Sequence, residues 1–407
     1  MTDVPTAPPA GPGAVHDWPV DHLDGLAFDP LLHRLLREEP VARVRMRYGT
    51  GDAWLVTRYE DVKEVTADPR FSRALTVDRP ITSMTPHAVA PPGGVGRTDP
   101  PEHTALRRLT AKAFNRRRVA ALRTRAERVT AELLERMLGE GPPADLTEHL
   151  TGPLPERVVA DLMGLPADAL PRLREWRRVI LSSDRPVADT AAVKREIARS
   201  FGGLADLRAA QPGDDLFSEL VAAERAGALS RAQLVSLSVM VVLNALDQVR
   251  NQTSTMVYAL LTHPAQLAAL RAGPALLPAA VEELLRFIPQ RNGVGLPRVA
   301  TEDVAVGGVR VRAGEAVYVS YLAANRDPAV FAEPDRLDLA RAGAPHLAFG
   351  HGAHYCVGAA LTRMLAETVV GALLRDLPAA RLAVRPEEVR WLRGTVNRGP
   401  ESLPLAW

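Results

Sequence analysis

The chain has 407 residues, 46% of them hydrophobic, and a single cysteine. One cysteine excludes an internal disulfide framework and the all-cysteine zinc and iron–sulfur sites, which take about four thiolates each. Fifty basic against 48 acidic residues leave a net charge of +2, a balance that argues against nucleic acid or an anionic membrane as the main partner. Only Lys63, Lys112 and Lys194 are lysines; with 34 Pro, 29 Gly and abundant Ala this reads as a genome rich in G and C.

Residues 1–20 are rich in Pro and Gly and have no apolar h-region, so they are expected to form a flexible tail rather than a signal peptide. Residues 21–407 are expected to form a single domain. No continuous apolar run reaches the roughly 18–20 residues of a membrane span. The longest candidate, 234–246, is broken by Ser236, Ser238 and Asn244. The expectation is a soluble, cytoplasmic protein. Residues 53–57 (AWLVT) read as a strand, and 119–138 and 158–163 as helices with apolar residues at steps of three and four. Ser230 precedes a long helix over 232–261, ended by His263-Pro264. Another helix, 279–287, closes at Pro289. Strands follow within 304–319, around Gly307-Gly308 and Ala313-Gly314, and a last helix covers 359–374. The fold class is mainly α, with small peripheral sheets. Segments 76–98 and 182–192 are irregular and rich in Pro and Asp, as loops over a site are.

The cysteine lies in Phe349-Gly350-His351-Gly352-Ala353-His354-Tyr355-Cys356-Val357-Gly358. Alternate glycines let the backbone turn tightly and approach a flat ligand. Cys356 stands before a helix, where unpaired N–H groups favour thiolate. A single thiolate on an open loop suits one axial position of a haem iron, and His354 is placed to donate to a haem propionate. Two other readings stay open on these residues alone: a buried, inert cysteine, and zinc held by His351, His354 and Cys356. Three ligands within six residues crowd a tetrahedral site, which weighs against zinc.

This stretch resembles the haem-binding signature of the cytochrome P-450 family, Phe-Gly-x-Gly-x-His-x-Cys-x-Gly, at every fixed position, Phe349, Gly350 and Gly358 included. Other segments agree in order. Glu283-Leu284-Leu285-Arg286 is similar to the family's Glu-x-x-Arg pair, and its spacing of three puts both side chains on one helix face. Arg336 resembles the third member of that triad. His103 and Arg107 resemble the residues that hold haem propionates, and Arg298 a further propionate ligand. The resemblance covers residues from about 25 to 407 and points to soluble, actinobacterial members. It implies haem b as cofactor and, with no flavin or nicotinamide domain, electrons from a ferredoxin and its reductase. Arg107 or Arg108, Lys112, Arg116 to Arg118 and Arg363 are basic candidates for that docking face, or simply a solvated charged face.

The long helix resembles the family's central helix, whose usual pattern is Ala-Gly-x-Asp/Glu-Thr-Thr. Here it reads Asn244-Ala245-Leu246-Asp247-Gln248-Val249, with Ala245 for the glycine and Gln248 for the first threonine. The family's threonine helps hold a water that delivers protons during dioxygen activation; a Gln amide donates and accepts hydrogen bonds but relays protons poorly. Asn244, Gln248, Asn251 and Thr255 form a polar stripe, either water-satisfied packing or a wall for a polar substrate. Further pocket walls implied by the resemblance are 88–95, 291–296 with Arg291, Asn292 and Val294, and 395–397 with Val396.

The implied activity is oxidation of a small, polar or aromatic natural product with dioxygen, by monooxygenation or by C–C or C–N coupling. Weak similarity of the 247–255 stretch points to a Trp-containing cyclic dipeptide as one substrate. A non-catalytic haem sensor and a zinc hydrolase are the readings from other classes.

Overall fold

Helices that position the site are α1 (Glu102–Ala111), α2 (Arg116–Glu140), α3 (Leu170–Ile180), α4 (Val187–Ala210), α5 (Arg231–Thr262), α6 (Leu277–Phe287) and α7 (Ala359–Asp376). The computed structural model describes residues 14–18, 23–88, 90, 93–291 and 293–407. The central helix α5 starts on a reciprocal cap. Ser230 Oγ accepts from the Gln233 backbone N–H (3.2 Å), and the Gln233 side chain accepts from the Ser230 N–H (2.9 Å). Two donors that a helix start leaves unpaired are thereby satisfied. The helix stops at His263 and Pro264. Helix α2 begins before its predicted apolar period because Asn115 Oδ1 accepts from the Arg118 N–H (2.9 Å).

Around α5 lies the largest apolar cluster, and α7 packs against both α5 and α2. An 18-residue window of α5 reaches a mean hydropathy of 1.5, long and apolar enough to cross a bilayer by composition. The apolar residues that give it this value face the protein core. The interruptions at Ser236, Ser238 and Asn244 lower the hydropathy of the helix without removing that character.

A six-stranded sheet lies beside the helices: β1 (Val15–Asp17), β2 (Val41–Arg45), β3 (Ala53–Val56), β4 (Phe71–Ser72), β5 (Arg298–Ala300) and β6 (Ala316–Val319), in the order β1-β2-β3-β6-β5-β4. The predicted 304–319 region divides. Val304–Val306 and Val309–Val311 form a hairpin through Gly307 and Gly308, at φ +53° and +82°, a pair of positive values that β-branched residues resist. Strand β6 leaves that hairpin and pairs with β3 and β5. Part of the predicted tail is anchored. Val15–Asp17 pair with Arg43–Arg45, and buried Trp18 donates from Nε1 to Asp29 Oδ2 (2.7 Å). Burying the indole offsets the cost of ordering the segment; residues 1–13 and 19–22 lie outside the described ones.

The register of β4 against β5 matters most for the site. Phe71 lies opposite Ala300 and Ser72 opposite Val299, so the next residues in line, Arg73 and Arg298, face one another.

Candidate functional site

The cysteine loop is held by its own backbone. The Cys356 N–H donates to the Phe349 carbonyl (2.8 Å), and the Gly350 N–H to the Leu347 carbonyl (2.9 Å). Gly352 sits at φ +71°, and a Cβ there would lie 2.2 Å from the Thr66 carbonyl oxygen. The loop can pass this point only as glycine. Cys356 is accessible to water although protein surrounds it on almost every side, as a side chain lining an internal cavity is. Burial pushes its thiol up. The Gly358 N–H and the guanidiniums of Arg107, Arg291 and Arg363 pull it back down. Phe349 is stacked under Arg363, whose Cζ is 4.5 Å from the ring centroid.

Beside the cysteine lies a cluster in which cations outnumber anions, Asp99 being the carboxylate within reach of Arg73 and His103. Asp99 joins α1 to the end of β4 by accepting the Arg73 and Ala74 N–H groups (2.9 and 3.2 Å). His103 is thereby brought to Arg73, and its ring centroid lies 4.1 Å from that of His354. Both Nη atoms of buried Arg298, Nε of Arg73 and Nε2 of His103 are buried without a partner among the described residues. Arg107 donates to the Tyr355 carbonyl. Burial, and behind it Arg73, His103 and Arg298, push the His354 imidazole down to about 2. Burial followed by Arg107 and Arg73 lowers His103 as well. Both rings are therefore neutral donors, and the positive charge, expected from histidines and arginines together, belongs to Arg73, Arg107 and Arg298. Bare buried guanidiniums are costly without counter-ions. A flat group with two carboxylates and a metal needing one thiolate fits these residues, and haem is such a group. Arg73 escaped sequence reasoning, since nothing local separates it from the other arginines.

The zinc reading finds no cluster. His351 Nδ1 lies 3.1 Å from Thr66 Oγ1, and among the described residues no three His, Cys, Asp or Glu side chains converge on a metal position.

Glu283 and Arg286 form a two-pronged pair (2.7 and 2.8 Å), each side chain only 2% exposed. Arg286 Nη1 also donates to the Asn325 and Pro334 carbonyls (2.8 and 2.9 Å). The third arginine is Arg341, not Arg336. Arg341 Nε donates to Glu283 Oε1 at 3.1 Å, whereas the Arg336 side chain points outward to Glu333 and Asp338. Arg336 contributes only its carbonyl, which accepts from Arg286 and Arg341.

On α5, Asn244, Ala245 and Gln248 are open to water in the middle of an otherwise buried helix. Asp247 is buried, with Oδ1 3.6 Å from Arg177 Nε on α3, and Oδ2 accepting from Asn251 (3.1 Å) and Asn397 (2.6 Å). The Gln248 amide donates to Asn397 Oδ1 (2.7 Å). The predicted polar stripe is thus split. Asn244 back-bonds to the Met240 carbonyl (2.9 Å) and stays on the open face with Gln248. Asn251 and Thr255 turn toward the C-terminal segment, where a Cβ on Gly399 would lie 2.6 Å from that of Asn251, and Thr255 Oγ1 bonds the Asn251 carbonyl (2.7 Å). Asn251 therefore buttresses Asp247 rather than lining the open face.

Arg291 is half-buried, its side chain makes no hydrogen bond or ion pair among the described residues, and it lies within electrostatic reach of both Asp247 and Cys356; burial lowers its guanidinium. Val294 packs half-buried against the cluster around Trp18. Val396 is half-buried, its N–H on the Leu181 carbonyl (3.1 Å). Next to the predicted 88–95 wall, His87 Nε2 donates to the Ile180 carbonyl (3.0 Å), and Lys194 of α4 donates to the Ala88 carbonyl (2.6 Å). Asn292, and residues 89, 91 and 92 of that wall, lie outside the described residues.

Comparison with known proteins agrees with this geometry. Residues 232–380 match the family model described as Cytochrome P450. The chain is 45% identical to the biflaviolin synthase of Streptomyces coelicolor over 97% of each chain. It is 44% identical to the nocardicin C N-oxygenase of Nocardia uniformis subsp. tsuyamanensis, over 94% of this chain and 97% of that one. Among solved structures, a cytochrome P450mel with biaryl coupling reactivity superimposes with a TM-score of 0.94 at 42% identity, covering 97% of this chain and 100% of that one.

Proposed function

The chain belongs to the cytochrome P450 family, a haem b–dependent oxidoreductase family, and from that premise we propose that it couples two molecules of an acidic, hydroxylated aromatic natural product. One observation carries this reading: the half-buried guanidinium of Arg291, which has no side-chain partner among the described residues and lies within electrostatic reach of Asp247 and Cys356. A buried charge without a counter-ion costs several kcal/mol, and an ionised ring hydroxyl relieves that cost. A neutral Trp-containing cyclic dipeptide, the specific substrate expected from the sequence, offers Arg291 no charge. The biaryl-coupling neighbour and biflaviolin synthase support the same choice.

Haem, when bound, supplies the activation of dioxygen. The residues proposed to hold it are Cys356 at the metal, with Arg73, His103, Arg107, Arg298 and His354 at the carboxylates. Coupling removes one hydrogen from each of two substrate molecules and forms one bond between them. Those two electrons and two protons, with two more of each from the redox partner and solvent, reduce dioxygen to two waters. Gln248 and Asp247 border the side where those protons enter. Asn244 and Ala245 share that open face.

We place the enzyme in the cytoplasm, with a ferredoxin and its reductase as electron donors. Arg108, Lys112 and Arg117 are exposed and form no ion pair among the described residues, which suits them to an acidic ferredoxin. Arg363 and Arg118 are less available, being held by Glu282 (2.6 and 2.8 Å) and by Glu219.

Oxygen-labelled dioxygen supplied with an acidic polyhydroxylated aromatic and a competent ferredoxin system tests the reaction. A dimer of twice the substrate mass less two hydrogens, free of label, is expected. Labelled monomeric product as the main outcome refutes coupling. Arg291→Leu should weaken binding of that substrate by about 30-fold or more, the low end for losing one partner of a buried charge pair. Equal affinity in the two proteins refutes the role given to Arg291.

A further inference from the structure

The hydrogen-bond polarity of the α5 wall follows from two arginines, which can only donate. Arg250 Nη1 lies 2.7 Å from the Asn251 side chain and must face its amide oxygen. The Asn251 nitrogen then points to Asp247 Oδ2, at 3.1 Å. Arg177 Nε faces the other carboxylate oxygen at 3.6 Å. Asp247 Oδ2 therefore accepts from Asn251, and Oδ1 faces Arg177 in an ion pair. The Asn397 amide, 2.6 Å from Oδ2, has to present its nitrogen there. Its oxygen is left for Gln248, whose amide nitrogen donates to it at 2.7 Å. Each amide in this chain has one orientation open to it, although an isolated amide turns over at little cost.

The far end of the chain is Gln248 Oε1, which has no protein partner among the described residues and belongs to a side chain open to water. Asn397 is 1% exposed, and its segment is fixed on both sides. It bridges to Arg291 through the backbone, and the Arg398 N–H donates to the Gln290 carbonyl (3.0 Å).

We infer that Asn397 is a positioning residue that fixes the Gln248 amide, so that the wall turns a hydrogen-bond acceptor to the cavity. A threonine hydroxyl at this position both donates and accepts. Gln248, held by Asn397, commits one N–H to that bond and turns its oxygen outward as an acceptor. The wall therefore takes an O–H or N–H donor, from a water or from a ligand. This follows from the side-chain network alone and holds whichever substrate the enzyme takes.

The C–O stretch of the ferrous–carbon monoxide complex tests it on the full, haem-loaded chain, because that frequency rises beside an acceptor and falls beside a donor. The intact protein should show one high-frequency band. Two bands of similar strength would overturn the inference, since an amide that is not fixed populates both orientations. Asn397→Leu removes both bonds at nearly constant volume and should add a second, lower band. In a Gln248→Leu background the same substitution should leave the band where it was. An unshifted single band in Asn397→Leu, or the same shift in both backgrounds, would also overturn the inference. Asn397→Ser, too short to reach both partners, carries the same expectation if Asn397→Leu fails to fold. The intact-protein measurement stands without either variant.

Discussion

Replacing Arg341 with alanine should destabilise the protein several-fold more than replacing Arg336. Arg341 is 12% exposed; it donates to Glu283 Oε1 at 3.1 Å and to the Glu333 and Arg336 carbonyls at 3.2 and 2.9 Å. A hydrogen bond to a charged group contributes about 1.5–3 kcal/mol. Glu283 keeps Arg286 and the Asp338 N–H (3.0 Å) after the loss, so the larger penalty of roughly 3–5 kcal/mol for stranding a buried charge does not apply. The Ala332 carbonyl also loses its Arg341 donor, while the Glu333 carbonyl keeps the Arg336 N–H and the Arg336 carbonyl keeps Arg286, which adds a little, for about 2–3 kcal/mol in all. Arg336 is 57% exposed in pairs of 3.3 and 3.0 Å, worth about 0–1 kcal/mol. With an unfolding entropy of about 2.1 cal/mol/K per residue, the 407-residue chain should lose about 2–4 °C in Tm for Arg341→Ala and under about 1 °C for Arg336→Ala. Thermal unfolding of the haem-loaded protein, followed by far-ultraviolet circular dichroism, measures both. Equal shifts, or a larger one for Arg336→Ala, would refute the assignment of Arg341 to the triad.

Gly352→Ala should prevent haem incorporation, because its Cβ would meet the Thr66 carbonyl at 2.2 Å; haem content per chain after purification measures it, and a normally loaded variant would refute the need for glycine there. Cys356→Ser should abolish the red-shifted Soret band of the ferrous–carbon monoxide form, and a surviving band rules out the thiolate ligand. Arg298→Leu and Arg73→Leu should each speed transfer of haem to an apo-myoglobin acceptor by tenfold or more, about 1.4 kcal/mol. Unchanged transfer rates would separate the cation cluster from haem retention.

The cysteine loop and the Glu283–Arg286 pair were legible because their chemistry is local: contiguous residues, or residues one helical turn apart. The α5 register was legible for the same reason, Asp247 and Gln248 being adjacent. Arg336 misled because the decision between it and Arg341 is made by a turn. Glu333 adopts φ +45° and its carbonyl accepts the Arg336 N–H (3.0 Å), so the Arg336 side chain swings to solvent and the chain returns to Glu283 only at Arg341. Arg73 was hidden because its role depends on pairing with a strand more than two hundred positions later. Asn251 followed the helical period onto the expected stripe, but each further turn of α5 rotates the stripe away from the open face and toward the C-terminal segment. Residues 15–18 were assigned to a tail because composition cannot see the pocket waiting for Trp18.

Charge accounting in the cavity ties the cofactor to the proposed substrate. Four guanidiniums, those of Arg73, Arg107, Arg291 and Arg298, lie within electrostatic reach of Cys356 or of one another. His103 and His354 are neutral and add no charge. Two haem carboxylates and one thiolate balance three of the four. Asp247 acts on the fourth from a distance, its oxygens being shared among Arg177, Asn251 and Asn397 rather than paired with Arg291. Arg291 is within electrostatic reach of Arg73 as well as of Cys356, and no side-chain partner holds it among the described residues. A protein that keeps a guanidinium half-buried and unpaired pays for it in stability unless a ligand completes the pair. An acidic phenol completes it and a neutral amide does not, so the affinity of Arg291→Leu for the two ligand classes should change in opposite directions. It should fall for the phenol and hold or rise for the amide, and a parallel fall for both would show that Arg291 shapes the cavity without selecting charge.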